Sequence, residues 1–242
     1  MGNLSPRTAG VTVSHVIDAV RAVAALEDPQ RGRLYRTVRE AGAPLTREEA
    51  ARQVGISRKL AAFHLDRLVD AGLLLASYDR PAGTATRIGR APKRYRTSDL
   101  DVDISIPERH YDVIGEILLD ALEHPRPQET PTDAVDRIAY ERGHQLAADA
   151  RATRRLGRLG PERATTVLVE LLGALGFEPA PAADGVVQRN CPFRRLAQRS
   201  PALVCAMNHR LVQGVLDGLG TTRLTAVLAP ADSRCCVVVT AT

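Results

Sequence analysis

A chain of 242 residues with 44% hydrophobic content can bury a normal core, which excludes a disordered tail and leaves room for one or two globular domains. Its 33 Lys+Arg and 28 Asp+Glu are unevenly placed: residues 31–99 hold 15 basic and 7 acidic side chains, a net +8, and the rest of the chain carries a net −3. A cationic region on an otherwise mildly acidic chain suits a polyanion partner. No stretch approaches the ~18 consecutive apolar residues of a membrane helix, and the N-terminus lacks a signal-peptide succession, so the expected location is cytoplasmic, with no membrane partner.

Val13, Val16, Ile17, Val20, Val23 and Ala24 recur at helical spacing and predict an amphipathic helix ending near Asp28 and Pro29. A second helix is expected over 30–41, with Leu34 and Val38 inward. Thr46 and Glu49 form a capping-box pair that starts a short third helix, and Gly55 ends it with Ile56 plugging the corner. Ser57 caps the next helix, whose inward stripe is Ala61, Leu65, Leu68 and Val69, and Gly72 closes it in the left-handed conformation. Residues 73–78 read as a strand and 94–97 as its return, with a long basic loop between them. That succession predicts a winged helix-turn-helix domain over 11–100.

A helix over 107–123, a proline-rich break over 124–131 and a longer helix from Thr132 to about Arg155 predict a helical linker or dimerisation segment over 105–157. One more amphipathic helix follows Gly160 and Pro161, carrying Val167, Leu168, Leu171, Leu172 and Leu175. Beyond it the pattern predicts a hairpin over 177–179 and 186–189 around an Ala/Pro-rich turn at 179–183, and a turn at Cys191 and Pro192. A helix over 202–219 and strands over 223–228 and 235–240 complete the chain. Residues 161–242 are thus expected to form a small α+β sensor domain, and the fold class of the whole is α+β.

A recognition helix offers polar or cationic side chains on the face away from its core stripe, close to its N-terminal end. Ser57, Arg58, Lys59, Ala62, Phe63 and Arg67 meet that requirement. Arg58 or Lys59 suits guanine, Ser57 at the helix N-terminus suits a phosphate, and Phe63 suits a thymine methyl. Arg87, Arg90, Lys93 and Arg94 are expected on the wing, along phosphate or in a minor groove. His64 reads as a packed core histidine.

The four cysteines, Cys191, Cys205, Cys235 and Cys236, all lie in the last 52 residues. Cys205 and His209 stand four apart on the predicted helix and share a face. Cys191, on its turn, and one cysteine opening the last strand can meet them. Strand alternation allows only one of Cys235 and Cys236 to do so. Three thiolates plus one further donor suit an iron–sulfur cluster or tetrahedral zinc. The alternative is four buried small hydrophobes in a small-molecule-responsive regulator without metal.

The run Ser57-Arg-Lys-Leu-Ala-Ala-Phe-His-Leu-Asp-Arg-Leu-Val-Asp-Ala-Gly-Leu-Leu, followed by Gly89-Arg-Ala-Pro-Lys-Arg-Tyr, resembles the ArsR-like winged helix-turn-helix regulators of the SufR-like group. The resemblance implies an iron–sulfur cluster on widely spaced cysteines, which by position are Cys191, Cys205 and Cys235. His209 as the fourth ligand follows from helical spacing alone. The partner implied is a double-stranded DNA operator, and paired half-sites imply a homodimer. An enzyme is not expected, since the sequence offers no phosphate-binding glycine loop, paired-carboxylate site or Ser/His/Asp arrangement.

Overall fold

The computed structural model describes residues 13–78, 91–231 and 233–242. It divides into two compact units, one reaching to Ile104 and the other running from Ser105 to Thr242.

In the first unit, α1 (Val13–Ala25) and α2 (Pro29–Glu40) are separated by Asp28, whose carboxylate accepts from Gln30 N and Arg31 N and so caps α2. The expected capping box holds: Thr46 Oγ1 accepts from Glu49 N at 3.2 Å while the Glu49 carboxylate accepts from Thr46 N at 2.7 Å, starting α3 (Arg47–Val54). Gly55, at φ 73°, turns the chain into α4 (Arg58–Asp70), which Ser57 caps by accepting from Leu60 N. Gly72, at φ 74°, leads into β2 (Leu74–Ser77).

The sheet holds one strand more than expected. Leu45 and Thr46 form β1, which pairs antiparallel with β3 (Arg94–Thr97), and β3 pairs with β2, giving the order β1-β3-β2. Thr46 therefore serves both as the last strand residue and as the helix cap. Leu34, Val38, Ala61, Leu65, Leu68, Leu74 and Tyr95 pack beneath the sheet as one core. The side chains of Val13, Val16 and Ile17 lie outside the described residues, as do Arg87 and Arg90.

The second unit contains α5 (Tyr111–Glu123), α6 (Pro131–Thr153), α7 (Pro161–Ala174), β4 (Pro179–Ala182), β5 (Gly185–Gln188), α8 (Arg194–Arg199), α9 (Pro201–Leu219), β6 (Leu224–Leu228) and β7 (Val237–Ala241). The strands form an antiparallel sheet in the order β4-β5-β7-β6. The helices expected as a linker join the core of this unit: Ile114, Ile117, Val135, Ala139 and Ala147 share one apolar cluster with Leu168, Phe177, Leu211 and Val237. At the α6–α9 crossing the backbones touch. A Cβ on Gly143 would stand 2.1 Å from Leu211 O, and one on Gly214 2.1 Å from Tyr140 O.

Four expectations change here. The helix placed from 107 starts only at Tyr111, because the preceding residues are tied to the loop after β5. The Ala/Pro-rich stretch is a strand, β4, tolerated because it lies at the sheet edge, where a missing N–H leaves no inner ladder bond unmade. The segment after the Cys191–Pro192 turn adds the short helix α8. Finally, β7 starts at Val237, so Cys235 and Cys236 precede the strand and its alternation does not separate them. No helix among the described residues is long and apolar enough to cross a membrane.

Candidate nucleic-acid interface and thiol site

Helix α4 is split cleanly between two faces. Ala61, His64, Leu65 and Leu68 are buried, whereas Arg58, Lys59, Leu60, Phe63 and Arg67 are exposed and Ala62 is half-buried. Phe63 leaves 53% of its surface in solvent, with the Arg67 guanidinium 5.6 Å above its ring. The ring packs one edge against buried His64 and keeps the rest of its surface outward. Arg58 Nε pairs with Glu48 Oε1 at 2.7 Å, but both groups are well exposed, and such a pair is worth at most ~1 kcal/mol and is easily exchanged for a phosphate. Leu60, exposed one turn after the Ser57 cap, belongs to the same face, though the sequence reading, which sought polar and cationic side chains there, assigned it to neither face.

The wing cations divide. Lys93 Nζ pairs with Asp66 Oδ1 at 2.6 Å and lies 5.3 Å over the Tyr95 ring, while Tyr95 Oη donates to the same carboxylate oxygen at 2.9 Å. Burial, with Asp66 beside it, pushes the Tyr95 phenol well above its usual range. Asp66 thus locks α4 to β3. Arg94 Nη1 donates to Pro44 O at 2.8 Å, across to the turn before β1. Lys93 and Arg94 brace the sheet against the helix-turn-helix; the loop cations Arg87 and Arg90 lie outside the described residues. His64 is buried edge-on to Phe63, as expected of a packed histidine.

In the second unit, three separate elements bring all four thiols together. Cys191 stands on the loop after β5, Cys205 in the second turn of α9, and Cys235 and Cys236 on the approach to β7. All four are free; Cys235 is buried and the others half-buried. Cys235 neighbours Cys191, and Cys236 neighbours Cys205. The adjacent Cys235 sulfur and burial push the Cys191 thiol far above its ordinary value, and burial raises that of Cys205. Contact with Cys191 lowers the Cys235 value, but Cys236 and burial outweigh it, and the thiol is pushed up to about 11.

Asn208, one turn beyond Cys205 and only 1% exposed, donates from Nδ2 to Cys235 Sγ at 3.2 Å, and its Oδ1 has no hydrogen-bond partner among the described residues. His209, expected as a ligand, places Nε2 3.0 Å from Ala226 O on β6. That contact ties α9 to the sheet and occupies one ring nitrogen. Among the described residues, the one group of three or more ligating side chains whose donor atoms all lie within 4.8 Å of one another is Asp120, Glu123 and His124. The cysteines meet in pairs, Cys235 with Cys191 and with Cys236 and Cys205 with Cys236, and no three of their sulfurs all lie within 4.8 Å of one another.

A family model described as a helix-turn-helix domain matches residues 26–75, the span from the end of α1 to the start of β2. No curated protein matches the chain. The first unit therefore contains a helix-turn-helix domain, with α4 as its second helix, and that domain suggests a DNA-binding transcriptional regulator.

Proposed function

We propose that the protein is an ArsR-like winged-helix regulator that reads a double-stranded operator with α4, and whose affinity for DNA depends on an iron–sulfur cluster held by the C-terminal cysteines. The observation that carries the DNA reading is the outward face of α4, where Lys59, Phe63 and Arg67 stand exposed behind the Ser57 cap. Lys59 and Arg58 supply cationic donors, Phe63 an apolar contact, and the helix N-terminus a phosphate seat.

The thiol chemistry supports the second half of the reading. Four soft donors brought from three elements into one neighbourhood are the ligand type that an iron–sulfur cluster takes. Cys191, Cys205 and Cys235 are the principal ligands, and Cys236 stands where a fourth thiolate is available. His209 would have to give up its bond to Ala226 O to ligate through Nε2. When bound, such a cluster supplies a state sensitive to iron and redox conditions. The protein's own contribution is the amide of Asn208, which donates to a ligand sulfur and favours its charged form. Raised thiol values leave little thiolate at neutral pH in the unloaded chain, which fits a regulatory site better than a nucleophilic one.

A homodimer completes the reading, since such modules bind paired half-sites. Helix α5 offers an apolar surface for it: Leu118, Leu119 and Leu122 are exposed, Leu122 to 73%. The test is a gel shift of the anaerobically purified protein on DNA from its own upstream region, with iron and sulfide assayed on the same sample. Binding by a colourless, iron-free chain in which Cys191 and Cys205 are both replaced by serine, at undiminished affinity, would exclude the cluster; absence of specific DNA binding would exclude the whole reading.

A further inference from the structure

Residues 105–110 are the stretch through which the chain enters the second unit after Ile104. Four hydrogen bonds fasten them to the loop that carries Cys191. Asn190 Nδ2 donates to Glu108 O at 2.9 Å, and Asn190 Oδ1 accepts from Arg109 Nη1. Arg109 Nη1 also donates to Cys191 O at 3.2 Å, and His110 N donates to Pro192 O at 3.3 Å.

Asn190 is buried, and its Nδ2 makes a further bond to Gly176 O at 2.6 Å. Its own N–H donates to Phe177 O. Every side-chain contact of this residue therefore fixes the relation between three segments: the end of α7, the Cys191 loop and residues 108–110. The ring of His110 closes the other side, so near Gly176 that a Cβ there would stand 2.8 Å from His110 Cδ2. One guanidinium nitrogen of the incoming chain, Arg109 Nη1, donates to both Asn190 Oδ1 and Cys191 O and so holds it to two points of the Cys191 loop.

We infer that Arg109 and Asn190 form a clasp by which the state of the Cys191 loop is passed to residues 105–110, the chain leading back to the DNA-binding unit. This rests on the thiol site proposed above and names how its occupancy is communicated. A ligand on Cys191 Sγ that rotates the peptide after it displaces Cys191 O, and with it Arg109; coupling of this kind needs one element whose position both ends share. Reciprocally, releasing Arg109 frees the Cys191 loop.

The experiment is hydrogen–deuterium exchange on the full chain, before and after loading with ferrous iron and sulfide or with Cd²⁺ alone, in wild type and in Arg109→Gln. Arg109 is half-buried at the unit's surface, and a thermal melt of each variant confirms folding. In wild type, loading is expected to slow exchange across 105–112 about tenfold, together with 186–194; in Arg109→Gln, at equal metal content, only 186–194 responds. A response at 105–112 that survives Arg109→Gln, or loading that leaves 105–112 unchanged in wild type, overturns the clasp. If neither metal loads, the metal reading of the thiols fails, and the clasp is decided separately by amide exchange of the unloaded chain. Arg109→Gln is then expected to speed exchange across 108–112 and 190–194 together, about fivefold, and an unchanged rate in either segment overturns it.

Discussion

The amide of Asn208 donates to the sulfur of Cys235 across 3.2 Å, from a side chain that is almost wholly out of solvent. A buried amide facing a thiol is a modest contact; facing a thiolate or a cluster ligand, it becomes a charge-assisted one. Replacing Asn208 with the similarly sized Leu removes that donor without opening a large void. Iron retention against a chelator should fall roughly 10- to 100-fold, the usual consequence of losing a hydrogen bond to a ligand. Retention equal to wild type would mean that the amide does not serve the site.

The outward face of α4 gives a separate test. Lys59→Ala is expected to weaken binding on all sequences and to reduce the slope of log affinity against log salt by about 0.9, the share of one phosphate contact. Phe63→Ala should weaken only the specific site. Because both side chains are exposed, the melting temperature should move little, and fluorescence anisotropy at several salt concentrations separates the two effects.

The α6–α9 crossing makes a sharp stability prediction. Gly214→Ala places a methyl 2.1 Å from Tyr140 O, which two helix backbones in contact cannot absorb without separating. Loss of more than about 2 kcal/mol is expected in urea unfolding. Gly115→Ala in α5, where none of the described residues lies within 4 Å of the added carbon, should instead stabilise by roughly 0.5–1 kcal/mol.

The turn between α5 and α6 carries a pH signature. Arg137 grips Glu129 through Nε and Nη2 at 2.8 and 2.9 Å, and that pair holds the Glu129 carboxyl at about 2, below its ordinary 4.5. A depressed folded value means stability present above pH 4.5 and lost as pH falls from there toward about 2. Glu129→Gln should therefore unfold at a midpoint that changes less over this window than wild type does, as followed by circular dichroism.

Leu119→Glu with Leu122→Glu on exposed α5 should convert a dimer to monomer in sedimentation velocity while leaving the fold intact, since neither side chain lies in the core. A dimer that persists would place the interface elsewhere.

The caps and corners of the first unit were legible because their partners are local: Thr46 with Glu49, Ser57 with Leu60 N, and the left-handed glycines at 55 and 72. What escaped the sequence depends on distant partners. Asp66 meets Tyr95 and Lys93 across 29 and 27 residues, and Asn190 meets Glu108 across 82, spacings for which no periodicity exists. Two-residue β1 is a strand only because β3 arrives beside it. The cysteine cluster was half legible: Cys205 lies on a helix as expected, but His209, four residues on, faces Ala226 O, and the strand-alternation argument applied to Cys235 and Cys236 assumed a strand that begins two residues later. The proline-rich stretch before α6, which read as a linker, is closed by the Arg137–Glu129 pair and by Arg137 donating to His124 O.

The central claim is that the thiol site governs how tightly α4 holds DNA. Fluorescence anisotropy on DNA from the protein's own upstream region, at fixed salt and without oxygen, tests it on one preparation before and after the iron is stripped by a chelator. The account predicts affinities that differ by about tenfold or more between the two forms, and no difference in Cys191→Ser with Cys235→Ser. Equal affinity of the loaded and stripped wild-type chains would contradict it.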